Sequence, residues 1–146
     1  LHDALIYDYF GGAVNVTDGR YTYFRYPENM SDQELYQYTL MPCHMLEPFS
    51  KDELMGAEIV RDLPFALGYP VMRIPLVDRS PFINKLGPRG MFDTQSALYD
   101  RASGGQDVNQ IDDQETTRRL SAMMVKEMAY HSAPPEAYRR LGLAVP

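Results

Sequence analysis

Two runs of β-branched and aromatic residues, Ala13-Val-Asn-Val-Thr17 and Arg20-Tyr-Thr-Tyr-Phe-Arg25, meet at Asp18-Gly19. An Asp-Gly pair suits a two-residue type I′ turn, in which both central residues take φ > 0 and glycine does so without steric cost. With that dipeptide at the tip, Thr17 is expected opposite Arg20, Val16 opposite Tyr21, Asn15 opposite Thr22 and Val14 opposite Tyr23. Residues directly across an antiparallel pair share a face. Val14, Val16, Tyr21 and Tyr23 therefore form an apolar side predicted to cover a core. Asn15, Thr17, Arg20 and Thr22 form a polar side predicted to be solvated, with contact to an anion or a neighbouring domain as the alternative. A slip of one residue would mix the two sides, so the pattern pins the strands' faces.

The other elements follow from local signals. Ala4-Leu-Ile-Tyr-Asp-Tyr-Phe10 lacks a helical period and reads as a strand ending at Gly11-Gly12. Residues 35–40 alternate Tyr36, Tyr38 and Leu40 against Gln37 and Thr39, which predicts a strand, although Ser31 with Glu34 would also make a capping box. Ser50-Lys-Asp-Glu53 is a second capping box, and Leu54, Met55, Ile59 and Val60 extend it to a helix over residues 51–60. Residues 62–89 are rich in proline and glycine and leave room for one strand at residues 71–74. A further strand is expected over 96–101, after Met91-Phe-Asp93, and Gly104-Gly105 breaks the chain. Asp112, with Glu115 as its reciprocal partner, is expected to cap a long last helix. Leu120, Met123, Met124 and Met128 form one apolar stripe on that helix, which predicts that it packs on the sheet. Pro134-Pro135 is expected to stop it, with one or two more turns over 136–141 before Gly142 closes them. The fold class is α+β: a small antiparallel sheet with a long C-terminal helix on one face, a single domain over residues 1–146.

At 146 residues and 45% apolar content the chain buries one core. A formal charge of −6 argues against a nucleic-acid partner, whose phosphates require basic patches. No apolar run approaches the roughly 20 residues of a membrane helix, so a soluble domain with no membrane contact is expected. The single cysteine, Cys43, excludes an internal disulfide and favours a reducing, cytoplasmic compartment. The chain enters its first strand almost immediately after Leu1, which predicts a longer parent protein.

Three segments carry a family resemblance: Asp3-Ala-Leu-Ile-Tyr-Asp-Tyr-Phe-Gly-Gly12 running into the hairpin, Leu35-Tyr-Gln-Tyr-Thr-Leu-Met-Pro-Cys-His-Met45, and Ala97-Leu-Tyr-Asp100 with the glycines and acidic helix start after it. Together they resemble the carboxyl-terminal region of bacterial sulfatases, members of the alkaline-phosphatase-like superfamily. The resemblance is weakest over residues 61–92. It implies a parent that hydrolyses sulfate esters with a formylglycine, made from Cys or Ser in a Cys/Ser-x-Pro-x-Arg motif, beside a Ca²⁺ ion. Neither is expected in this chain. Cys43 is followed by His44, Met45, Leu46 and Glu47, Ser80 by Pro81, and Ser103 by Gly104-Gly105. The run Asp107-Val-Asn109-Gln-Ile-Asp112 offers oxygens at its first positions only, and it reads as a loop feeding a helix rather than a calcium loop.

No catalytic and no metal-binding residue is therefore assigned. Cys43 and His44 are adjacent, a spacing that points side chains apart, so they do not read as a nucleophile and its base. His44, in the Tyr-Thr-Leu-Met-Pro segment, and Asn15 and Arg20, on the polar side of the hairpin, are the candidates for substrate contact in the parent. The resemblance also implies Gly where Asp8 stands and His where Phe10 stands, so this segment is expected to shape a pocket without acid-base work. The expected function is a structural and pocket-wall role, the catalytic domain of the same polypeptide being the partner and the isolated chain being inactive. The alternative is a stand-alone binding or oligomerisation module, for which an exposed apolar patch would serve as the interface.

Overall fold

Five residues, one from each strand of a sheet, line up into a single row: Ile6, Val16, Tyr23, Leu98 and Ile111. They belong to β1 (Leu5–Asp8), β2 (Val14–Thr17), β3 (Tyr21–Arg25), β7 (Ala97–Asp100) and β8 (Gln110–Ile111), which form an antiparallel sheet in that spatial order. The computed structural model describes residues 4–8, 10–30, 32–41, 43–44, 47–76, 95–103 and 109–146. The expected glycine break at Gly104-Gly105, the segment Met91-Phe-Asp93 and the Ser31 half of the first capping box lie outside them.

Helix α2 (Gln114–Tyr130) lies across this row. Leu120 and Met124 are fully buried and Met128 nearly so, while Met123 packs at the margin, as the stripe predicts. Burying each such side chain stabilises the fold by about 2 kcal/mol. Tyr138 and Leu141, on and just after α3 (Pro135–Arg140), complete the core. The α+β class and the helix-on-sheet packing hold.

A second, three-stranded sheet was not expected. It is built from β4 (Tyr36–Thr39), β6 (Val71–Pro75) and β5 (Glu58–Val60), in the order β4-β6-β5 and antiparallel throughout. The predicted strands at 35–40 and 71–74 are both present, but they pair with each other instead of extending the first sheet. Because β3 and β7 are neighbours, residues 26–96, with the whole small sheet, form an insertion between adjacent strands of the large one.

Other expectations are corrected. In the hairpin Thr17 faces Thr22, Val16 faces Tyr23 and Asn15 faces Phe24, a register two residues away from the one an Asp-Gly two-residue turn sets. The cause is side-chain hydrogen bonding at the tip. Asp18 Oδ1 accepts from the backbone N–H of Arg20 at 3.0 Å and of Tyr21 at 2.7 Å, and Thr17 Oγ1 donates to the Tyr21 carbonyl at 2.8 Å, wrapping a wider loop. Gly19 still takes φ +93°. A shift of two preserves the faces because side chains alternate with period two, so Val14, Val16 and Tyr23 stay in the core. The other face is not solvated as expected: Asn15 is 6% and Thr22 1% exposed. Asn15 stands between Tyr7 and Phe24, and Thr22 beside Tyr99, whose ring meets Phe24 edge-on at 5.4 Å.

The helix predicted over 51–60 stops early. α1 (Lys51–Met55) has the expected capping box, with Ser50 Oγ accepting from Glu53 N at 3.2 Å and Glu53 Oε2 accepting from Ser50 N at 2.7 Å. Gly56 ends it, and Glu58–Val60 pairs with β6 instead. Ser50→Ala is expected to cost about 1 kcal/mol, read as a lowered urea midpoint. The cap of α2 is Asp113, not Asp112: its Oδ1 accepts from the N–H of Glu115 and Thr116, and its Oδ2 from the Thr116 hydroxyl at 2.7 Å. Nor do the prolines stop α2. It closes at Tyr130 through Ser132, in the left-handed region at φ +58°, and an Ala133 N–H donation to the Met128 carbonyl at 2.8 Å. Pro135 instead opens α3, where its missing N–H costs nothing.

Candidate functional site

α3 is held against the large sheet by arginines that reach the backbone. Arg25 Nε donates to the Leu141 carbonyl at 2.8 Å, and Arg140 Nη1 to the Gly12 carbonyl at 2.6 Å. This places the first turn of α3 opposite β4, and between them runs a groove of about 560 Å³. Phe10 and Gly11 form one end, residues 34–38 one wall, and Pro134, Glu136, Ala137 and Arg140 the other.

Two phenol–carboxylate contacts organise its walls. The Tyr38 hydroxyl donates to Glu136 Oε1 across 98 residues of sequence. Burial and then the Glu136 hydrogen bond hold the Tyr38 phenol well above the ordinary tyrosine range, so it stays a donor. Glu136 itself is 6% exposed. Nearer solvent, the Tyr36 hydroxyl donates to Glu34 Oε1 at 3.2 Å, while Glu34 Oε2 accepts from Arg139 Nη2 at 2.9 Å and Nε at 3.2 Å. Arg139 holds the Glu34 carboxyl below its usual range. Behind the wall the Arg73 guanidinium stacks over the Tyr36 ring at 4.2 Å and pairs with Glu58 at 2.6 Å, and Phe65 meets Tyr38 edge-on at 5.6 Å. The groove therefore offers aromatic surface, fixed hydroxyls and carboxylate acceptors.

The structure does not bring the sequence-predicted contact residues together, and none of them lines this groove. Arg20 is exposed at the hairpin tip, 3.3 Å from Asp100, with its guanidinium 4.7 Å above the Tyr21 ring. Asn15 is buried on the outer face of the large sheet, and among the described residues its Oδ1 has no hydrogen-bond partner. His44 is half-buried before α1. Its Nε2 lies 2.9 Å from Glu53 Oε1 and its ring 4.3 Å from that of Phe49. Burial pushes the Glu53 carboxyl up, but the Ser50 and His44 contacts outweigh it and hold the group below its ordinary value. His44 thus braces a helix cap, and Cys43 beside it lies in a backbone bridge to Pro48.

Glu136 and Arg140 were missed because their role arises only when α3 meets β4. The alternation of Tyr36 and Tyr38 was the one visible signal. Asp107, which opens the run weighed as a calcium loop, lies outside the described residues. Among the described residues no three His, Cys, Asp or Glu side chains converge to hold a metal, and no helix is long and apolar enough to cross a membrane. No family model, no curated protein and no solved structure matches the chain.

Proposed function

We propose that the chain is the carboxyl-terminal flank of a sulfatase-like ester hydrolase, supplying a pocket wall and a docking surface for the catalytic domain of the same polypeptide. One observation carries this reading. The segments that bear the sulfatase resemblance, Phe10-Gly11 after β1 and Leu35–Tyr38 on and before β4, are separated in sequence yet line the same groove. A second supports the docking role. Leu40, Met41, Met55, Ile59, Leu67 and Tyr69 are each more than half exposed and fall in one stretch of chain around the small sheet. Surface of that kind marks an interaction site.

In such a parent, formylglycine would supply the nucleophile and Ca²⁺ the charge stabilisation at sulfate. The residues of this chain fit neither group. Ser132 comes closest to the modification motif, with Pro134 in place, but Glu136 stands where arginine is required. The contribution here is shape, aromatic surface and fixed hydrogen-bond partners.

The test is the complete reading frame. Extended upstream, it is expected to encode a Cys/Ser-x-Pro-x-Arg motif, and the whole protein is expected to hydrolyse 4-methylumbelliferyl sulfate in a Ca²⁺-dependent manner. The 146-residue chain alone is expected to show no turnover. A frame without the motif, or metal-dependent hydrolysis by these residues unaided, defeats the proposal. The same exposed apolar surface also favours a second reading, a self-associating module. Concentration-dependent dimerisation of the chain by sedimentation, together with a motif-free frame, would select it.

A further inference from the structure

The molecule has two separate cores. Val14, Val16, Tyr23, Leu98, Leu120 and Met124 cluster beneath α2, whereas the side chains buried in the insertion, Phe49, Val71, Ile74 and Leu76, do not join that cluster. Among the described residues no strand of one sheet pairs with a strand of the other. Nor, among them, does any backbone–backbone hydrogen bond run from residues 32–76 to the large sheet or to α2 and α3. Two folded bodies joined by chain crossings move relative to each other unless a large apolar interface holds them.

Two sets of contacts span the gap, and they differ in kind. At the end of the groove Leu35 packs on Gly11, which takes φ +76° and where a Cβ would stand 3.3 Å from Leu35 Cδ1. Beside it Gln33 Nε2 donates to the Gly11 carbonyl at 2.9 Å. These contacts lie where the chain enters β4, so a rotation about them moves them little. Across the groove itself, the Tyr38 hydroxyl donates to Glu136 and Arg139 pairs with Glu34 at 2.9 Å. Arg73, behind the sheet-side wall, adds electrostatic attraction to Glu136. The Glu34 and Arg139 side chains are about half exposed and exchange each other for water at little cost. Parting Tyr38 from Glu136 forfeits a hydrogen bond but returns a carboxylate to water, which offsets much of the loss.

We propose that the small sheet is a lid over this groove, pivoting where Leu35 meets Gly11 and latched shut by the Tyr38–Glu136 and Glu34–Arg139 contacts. Opening swings β4 away from the first turn of α3 and widens the groove. Closing brings Tyr36 and Tyr38 back against the α3 wall. The inference stands apart from the ester-hydrolase reading, since it concerns motion between these residues and no bond-breaking step.

The test is a distance distribution from pulsed electron paramagnetic resonance, with spin labels at Met55→Cys on α1 and Lys126→Cys on α2, both exposed positions. The 146-residue chain is used, with Cys43→Ser so that only the two labels react. With the latch intact one distance is expected to dominate, the open form holding about 10% or less. Tyr38→Phe combined with Glu34→Gln removes the hydroxyl donor and the ion pair while keeping both shapes. It is expected to raise the ratio of a second, open distance to the closed one by about tenfold, with the ¹⁵N amide shifts of α2 and of the strands beneath it unchanged. Raising NaCl from about 0.05 M to about 1 M screens Glu34–Arg139 and is expected to shift the intact latch the same way by about twofold, a response that Glu34→Gln alone loses. A distribution that the double substitution leaves unmoved overturns the proposal. So does a change spread through the α2 and large-sheet amide shifts, or a salt response that Glu34→Gln retains in full. If the double substitution unfolds the chain, the salt series decides, and a distribution constant across it overturns the lid.

Discussion

Replacing Leu120 with alanine is expected to remove about 3 kcal/mol of folding stability, within the range for emptying a fully buried leucine site. Leu120 is 0% exposed on the face of α2 that covers the row of Val16, Tyr23 and Leu98. Its removal takes away the transfer free energy of three carbons and leaves a void that the rigid sheet beneath does not fill. Met124, one turn along, is unbranched and adaptable and relaxes partly into the gap, which keeps the cost near the middle of the range. At a urea m-value of about 2 kcal/mol/M, the midpoint falls by about 1.5 M. Met55→Ala, at a side chain 74% exposed, is the matched control and is expected to change the midpoint little. A loss below about 1 kcal/mol for Leu120→Ala would mean that the helix does not lie on the sheet as described.

Asp18→Ala is expected to cost about 2 kcal/mol at neutral pH, because one carboxylate holds two structures together. Its Oδ1 accepts the N–H groups of Arg20 and Tyr21 and so sets the hairpin loop, and its Oδ2 lies 2.6 Å from Arg119 Nη2 on α2, with the side chain 14% exposed. Burial pushes this carboxyl up, but the backbone donors and Arg119 together outweigh it and hold it below its ordinary value. A carboxyl whose value is depressed by folding stabilises the fold above its unfolded value, about 3.9, and that stability is lost as pH falls through the folded value. The gap between the unaltered chain and Asp18→Ala should therefore be widest at neutral pH and narrow below about pH 4. Urea midpoints of both proteins at neutral pH and near pH 3 measure it. A gap that stays constant across that interval would assign the whole effect to the turn geometry and none to the charge.

What was legible in the sequence was local. The apolar stripe Leu120, Met124 and Met128, the alternation of Val14 and Val16, and the Ser50–Glu53 box each lie within a few residues of chain and depend on backbone periodicity alone. The hairpin register was misread because its loop length is set by where the Asp18 and Thr17 side chains bond, which the Asp-Gly dipeptide does not encode. Ile59 and Val60 fit a helical spacing, yet they are β-branched and follow Gly56; pairing with β6, a non-local event, decided between the two. Burial of Asn15 and Thr22 followed from aromatic neighbours on other strands. The groove was hidden for the same reason: Tyr38 and Glu136 are far apart in sequence, and the contact between them exists only once α3 is pinned by Arg25 and Arg140.

Phe24 and Ala97 face each other across β3 and β7, so the chain leaves the large sheet at residue 26 and returns at residue 96 only about one strand spacing, roughly 5 Å, away. An excursion whose two ends nearly touch is exchangeable in principle. It could be replaced by a short linker without altering a single ladder bond of the remaining strands, at a closure entropy that grows only logarithmically with length. The Phe10, Gly11 and α3 sides of the groove would stay behind, whereas β4 would leave with the excised piece. On this architecture the small sheet is an exchangeable unit carried by a constant platform.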